Sequence, residues 1–215
     1  ALSNNLSLDQ LYHEFAIDPV AQMTTGEFER CVKWLMIESG KPWLGLEFGT
    51  LNITQFGILG ALAGTARSLY EALQIGEQYH MLLHPLIGLS VTFEENEIIA
   101  RYSVDGEIPS LPFYADAFMS GFFTWYTYFT GKSLSSIVKT ISFRHDEPAY
   151  SQRYQDLFEC KILFNQTFDE ITLKSVNLES PLQTSSPLVH SDLKQQASQN
   201  RKEMENFSEV IKRII

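Results

Sequence analysis

What the chain lacks narrows its chemistry first. Only two cysteines occur, Cys31 and Cys160, far apart and without a C-x-x-C pair. A disulfide framework and a thiolate metal knuckle are both disfavoured, and two buried thiols in a reducing cytoplasm are expected. No charged segment runs into an apolar leader, and no long uncharged apolar run is present, so neither export nor a membrane partner is indicated. Basic residues are scarce, 16 against 26 acidic, for a net charge of −10. That balance repels phosphate at long range and leaves no basic stripe, so these 215 residues should not grip DNA by themselves.

Catalytic layouts are missing as well. There is no G-x-S-x-G elbow, no phosphate-binding G-x-x-x-x-G-K-[ST] and no H-E-x-x-H. His80 and His84 are four apart, yet Pro85 interrupts their segment and no third ligand follows, so a structural or pocket-polar role is expected and no metal. Cys160 between apolar neighbours reads as an inert thiol. Asp146 and Glu147, adjacent on a turn, point apart into solvent, and His145 beside them is read as bonding to nearby backbone or to a carboxylate. No acid, base and nucleophile converge, so no enzyme and no cofactor are expected.

What is present is an alternation of helical and strand patterns. Residues 7–17 and 24–39 read as helices, with Ser7 and Thr24 as N-caps; Glu27 completes a capping box and Gly40 ends the second helix. Residues 44–49 read as a glycine-punctuated apolar turn. Residues 54–75 form a crowded helix with small residues on neighbouring turns, a break near Gly64–Thr65 and Gly76 at its end. Residues 86–94 and 97–104 alternate as a hairpin around Glu95–Asn96, with Ile98, Ala100, Tyr102 and Val104 on one face. Further strands are predicted at 137–143, 160–164 and 168–175. The fold class is α+β: a mixed or antiparallel sheet of about five strands packed against several helices.

Two helices frame the functional question. Residues 112–130, capped by Ser110 with Pro112 in the first turn, carry Tyr114, Phe118, Phe122, Trp125 and Phe129 as a stripe that Tyr126 widens. Such a ring-rich face either fills a core or lines a cavity. Residues 191–215, starting at Ser191–Asp192 after a Ser- and Pro-rich loop over 176–190, form a long polar helix. Its seam includes Met204, Phe207, Ile211 and Ile214.

The stretch 137–164 joins a strand, a turn, a short helix and a second strand. Phe143, His145, Pro148, Tyr150, Tyr154, Phe158, Cys160, Ile162 and Phe164 give it the pattern F-x-H-x-x-P-x-Y-x-x-x-Y-x-x-x-F-x-C-x-I-x-F. That pattern resembles the N-terminal arabinose-binding-type domain of one branch of AraC/XylS-family transcription regulators. Leu46–Gly49 with Phe56–Gly60, and Ser180–Leu182 with Ser186–His190, are similar to the same family. The resemblance implies an effector-binding domain over 1–190 and a linker or dimerisation helix over 191–215. It further implies a bacterial, cytoplasmic homodimer, a small-molecule effector, and DNA contact only through a helix-turn-helix module absent from this chain. A chain opening at Ala1 is expected to continue upstream, and the DNA-binding module to follow Ile215. The pocket is expected between 112–130 and the hairpin, built from Tyr114, Phe118, Phe122, Trp125 and Tyr126, with His80 near its mouth and Arg101 able to fix an anionic group. The alternatives are a small isomerase- or hydrolase-like enzyme, an interaction module without a ligand, and a haem-type sensor. Tyr150–Arg153 lacks the Y-x-S-x-R spacing of gas-sensing haem domains, which argues against the last.

Overall fold

A computed structural model describes residues 24–51, 56–83, 87–104, 112–176 and 178–214, the last nine of these as helix backbone only. The helix expected over 7–17 and its cap Ser7, together with His84, Pro85 and Ser110, lies outside the described residues. Seven α-helices are described: α1 (Thr25–Ser39), α2 (Leu44–Thr50), α3 (Gly57–Gly64), α4 (Leu69–Tyr79), α5 (Pro112–Thr130), α6 (Gln152–Phe158) and α7 (Pro187–Ile214). The strands are β1 (Ile87–Phe93), β2 (Glu97–Val104), β3 (Val138–Ser142), β4 (Lys161–Leu163) and β5 (Asp169–Lys174). They form one mixed sheet in the order β1-β2-β5-β3-β4, as the α+β expectation required.

The sheet follows from alternation. In β2, Ile98, Ala100 and Tyr102 are buried while their odd-numbered neighbours are only half-buried, and in β5 Ile171 and Leu173 repeat this. The outer face is polar and laced by Arg101–Glu170 at 3.0 Å and Lys139–Glu97 at 2.8 Å. The hairpin tip is Glu95–Asn96, closed by Glu94 N–H donating to the Glu97 carbonyl at 2.9 Å. Asn96 does not take the positive φ open to an asparagine; its carbonyl accepts from Ser175 N–H at 3.1 Å. In β3 a bulge between Val138 and Thr140 turns both Val138 and Ile141 inward. Lys139, which strict alternation placed with Ile137 and Ile141, therefore pairs with Glu97. Strands β3 and β4 run parallel, joined across α6.

Helix α1 begins as its cap predicts. Glu27 N–H donates to the Thr24 hydroxyl at 3.3 Å, Thr24 N–H donates back to the Glu27 carboxylate at 2.8 Å, and Gly40 ends the helix at φ 63°. Residues 44–50 are not a turn. Gly45 and Gly49 lie one helical turn apart on the face that meets α5. A Cβ at Gly45 would sit 2.6 Å from the Phe113 carbonyl oxygen, and one at Gly49 would meet the Ser120 hydroxyl and, at 2.5 Å, the Ala117 carbonyl oxygen. Two glycines in seven residues oppose helix by about 1 kcal/mol each. Backbone-to-backbone packing offsets that cost, and Glu47 helps by accepting from Lys41 at 2.7 Å and from the Trp43 indole at 2.8 Å.

The expected helix over 54–75 is two helices, parted at 65–68, where Ser68 caps α4 by accepting from Glu71 N–H. Gly76 does not end α4, which runs on to Tyr79. Helix α7 begins at Pro187 rather than Ser191, since Pro fits a first helical turn and His190 N–H already reaches the Ser186 carbonyl at 2.8 Å.

Gly49→Ala should lower stability by about 1–3 kcal/mol through overpacking, or ~2–4 °C in Tm per kcal/mol for a chain of this size. In Gly26→Ala the added Cβ meets nothing within 4 Å; it should be neutral or stabilising by up to about 1 kcal/mol. Thermal unfolding followed by circular dichroism checks both, and equal behaviour of the two variants would refute close packing at α2.

Candidate functional site

A cavity of about 70 Å³ lies where α3, α4 and α5 meet the inner face of the sheet. Helix α3 supplies Leu59, Gly60 and Ala63, and α4 supplies Ala72, Leu73 and Gly76. The sheet contributes Leu89, Val91, Ala100 and Ile171; α5 contributes Phe118, Met119, Phe122 and Trp125, with Phe56 and Leu83 at the edge. Small residues on α3 and α4 hold the space open opposite large ones on α5. The one polar side-chain atom in this wall, the Trp125 indole N–H, is committed to the Gly60 carbonyl at 3.2 Å.

The structure places three of the predicted pocket residues, Phe118, Phe122 and Trp125, in this wall. Four others lie elsewhere. Arg101 is on the outer sheet face, bonded to Glu170 and stacked 3.6 Å over the Phe168 ring. The alternation that puts Ala100 and Tyr102 inward already implied this. His80 turns its Nδ1 to the Glu77 carbonyl at 2.7 Å in a single 3-10 turn. Tyr114 packs against Phe28 and Phe113 on the other side of α5, its buried hydroxyl unpartnered and its pKa pushed up to about 12 by burial and by Glu29. Tyr126 is buried, and that burial raises its phenol. The small residues of α3 were read only as crowding and those of α4 not at all; the signal for a cavity wall was their own spacing, Gly60–Ala63 and Ala72–Gly76, on helices flanking aromatic ones.

A second buried feature was not foreseen. Asp116, in the second turn of α5, is fully buried. Its Oδ1 accepts from the Tyr154 hydroxyl at 2.8 Å and faces His145 Nε2 at 3.6 Å, while Oδ2 has no partner. His145 donates its Nδ1–H to the Asp146 carbonyl at 2.9 Å, and its buried Nε2 faces Asp116 without a hydrogen-bond partner. Burial raises the Asp116 carboxyl against the pull of His145 and Tyr154. His145 is also raised: burial opposes its charge, but the Asp116 bond and field outweigh that. Around this pair Phe143, Tyr154 and Phe164 pack edge to face. Tyr150 reaches out to the Pro42 carbonyl at 3.0 Å, and Arg153 stacks 3.7 Å over Trp43. Most of the motif singled out in the sequence is thus the clamp that fixes α6 against α5 and the α1–α2 corner. An ionisable pair could suggest catalysis, yet the Asp116 side chain is 1% exposed and neither residue borders the cavity. Among the described residues no group of three or more His, Cys, Asp or Glu is placed to hold a metal. No helix among them is long and apolar enough to cross a membrane.

A mixed sheet backed by helices, a carbon-lined cavity and a long trailing helix make up an α+β domain. The family model described as the arabinose-binding domain of AraC transcription regulators, N-terminal, matches residues 13–182, and the chain belongs to that family. It is 25% identical over 155 residues to the ornithine utilization regulator of Pseudomonas aeruginosa, covering 69% of this chain and 44% of that protein. Its fold is similar to the crystal structure of the transcriptional regulator CdpR from Pseudomonas aeruginosa, with a TM-score of 0.65 at 17% identity, over 85% of this chain and 58% of that one. The chain therefore spans about half the length of these relatives, both of which are regulators.

Both Asp116 and His145 are raised, so each contributes stability that is fully present at low pH. For His145 that is below about 6.5, for Asp116 below about 3.8, and each contribution is lost as pH rises through the folded value. Above about pH 6.5 the Tm should fall further for the unaltered chain than for Asp116→Asn, in which His145 loses its carboxylate. Matching slopes in a thermal-melt series would show that the pair takes up no proton on folding.

Proposed function

We propose that this chain is the effector-sensing and dimerisation part of a bacterial, cytoplasmic transcription regulator, controlling a helix-turn-helix module carried elsewhere in the same protein. In this reading residues 1–190 carry the effector fold and 191–215 the linking helix. The observation that supports it most is that α3 and α4 are shared. Each faces the cavity on one side and holds α7, or the strap leading to it, on the other. From the α3 side, the Thr184 hydroxyl donates to the Gly64 carbonyl at 2.5 Å, and Ser186 N–H donates to the Thr65 carbonyl at 3.2 Å. The Thr65 hydroxyl already donates to Leu62, so it accepts from His190 Nδ1 at 3.3 Å. From α4, the Tyr79 hydroxyl meets the Ser198 hydroxyl at 2.9 Å, Arg201 donates to the Gln78 carbonyl at 3.1 Å, and Ala197 is fully buried.

A ligand that binds one setting of α3 and α4 better shifts α7 by its differential affinity and no more. Coupling of this kind amounts to roughly 5- to 150-fold in affinity. Beyond Arg201 the helix carries Met204, half-buried, and then Phe207, Ile211 and Ile214, whose side chains lie outside the described residues. We assign these four to a homodimer seam in the distal half of α7, with DNA contacted only through the separate module.

Two outcomes test this. Fused to a heterologous AraC-type DNA-binding domain and a reporter, the chain should respond to a small molecule, and Trp125→Ala should cut that response at least five-fold at unchanged protein level. A response untouched by Trp125→Ala would count against this site. In sedimentation equilibrium the chain should run as a dimer and Ile211→Glu as a monomer; a monomeric parent chain would refute the seam.

A further inference from the structure

We infer that the buried part of the effector is an uncharged alkyl or aryl group, not a sugar or an amino acid; this rests on reading the cavity as the effector site. A sugar brings several hydroxyls, and each that loses water must gain a partner. An amino acid brings an ammonium and a carboxylate, and each needs an opposite charge or a set of donors. This wall provides neither. Its single polar side-chain atom, the Trp125 indole N–H, is used by Gly60, and no charged side chain borders the space. The polar groups of α5 all turn away. Ser120 donates to the Asp116 carbonyl at 2.7 Å, Asp116 is engaged by Tyr154, and Tyr114 lies with Phe28 on the far side. On the sheet, Tyr102 lays its ring on Phe118 with centroids 4.5 Å apart and is not part of the wall. Arg101 is spent on Glu170 across the sheet.

Size sharpens the class. A dry cavity of about 150 Å³ lined by aliphatic and aromatic carbon takes up benzene. This one, at about 70 Å³, holds a short alkyl chain as it stands. It admits a ring if Phe118 or Phe122 changes rotamer, and both are only partly buried. Phe56 and Leu83, also partly buried, form the rim, so a polar head on such a ligand stays outside in water. Gly76 gives the wall a variable position. A Cβ there would come to 3.4 Å from Leu89 Cδ2, an ordinary contact, so a larger side chain grows into the cavity and not into backbone.

The test is a methyl NMR titration of the whole chain with toluene, L-arabinose and L-ornithine. Toluene should shift the methyls of Leu59, Leu73, Val91 and Ile171 and leave Leu134 and Ile141 unmoved, while the sugar and the amino acid should shift none of the four. Gly76→Leu should weaken toluene binding at least ten-fold. Because a filled variant can misfold, the localisation in the unaltered chain stands as an independent readout. Toluene shifts scattered over the molecule, or wall methyls that answer to arabinose or ornithine, would overturn the inference while leaving the sensing reading intact. Toluene bound in the wall with no change in α7 amide exchange would uphold the ligand class and count against the sensing reading.

Discussion

One helix buried almost all round sets the terms for everything else in this domain. Helix α5 packs its small and polar side, Ala117, Ser120 and Gly121, against the glycine face of α2 so closely that a methyl group on either glycine would strike backbone. Its aromatic side, Phe118, Phe122 and Trp125, meets α3, α4 and the sheet. A helix so enclosed has little freedom to shift, and the acid in its second turn is buried with a tyrosine hydroxyl already in place to donate to it. Asp116 accepts from the Tyr154 hydroxyl and faces the His145 imidazole, both from the segment that follows β3, and the tyrosine bond holds the third side of α5. Removing one partner of such a group leaves a buried polar atom without compensation, so the arrangement is costly to disturb and specifies one register for α6.

With α5 fixed, the adaptable walls are α3 and α4. Both are short, and both present small side chains to the cavity. The gap between them is bridged to the strap at 178–186, where Tyr70 N–H donates to the Leu178 carbonyl and Leu182 N–H to the Arg67 carbonyl. The cavity thus has one rigid side and one side attached to α7. That asymmetry gives occupancy a direction in which to act, since a displaced wall moves what is tied to its back. The contacts along this route are hydroxyl–hydroxyl, hydroxyl–carbonyl, imidazole–hydroxyl, backbone and guanidinium–carbonyl bonds, suited to exchange between two arrangements.

The sequence was legible wherever a local pattern and the tertiary context agreed. The capping box at Thr24, the hairpin alternation around Glu95–Asn96 and the long aromatic helix from Pro112 are all where the residues place them. So is the five-stranded sheet, and the resemblance carried by 137–164 proved to be family membership. It failed where packing overrode propensity. Gly45 and Gly49 read as a turn because nothing local announces the α5 backbone against which they lie. Gly76 read as a helix end because glycine is the common residue just past a helix, whereas here it is a small residue of the cavity wall within α4. Strict alternation would put Lys139 on the face of Ile137 and Ile141, because a bulge is invisible to it. Of the site, the aromatic half was legible as a stripe, whereas Arg101 and His80 attracted notice for their chemistry against the evidence of their positions. Asp116 escaped because a lone acid within an apolar helix gives no hint of a histidine 29 residues and a tyrosine 38 residues downstream.

The claim on which this account turns is that filling the cavity is felt in α7, and it can be tested without any ligand. Ala63→Leu adds volume to the α3 wall, and hydrogen exchange of individual amides reads the consequence. The account predicts altered protection in α3 and α4 together with the α7 amides between His190 and Arg201, while β3 and β4 stay as they were. A response confined to α3 and α4, with α7 exchanging at its original rates, would contradict it.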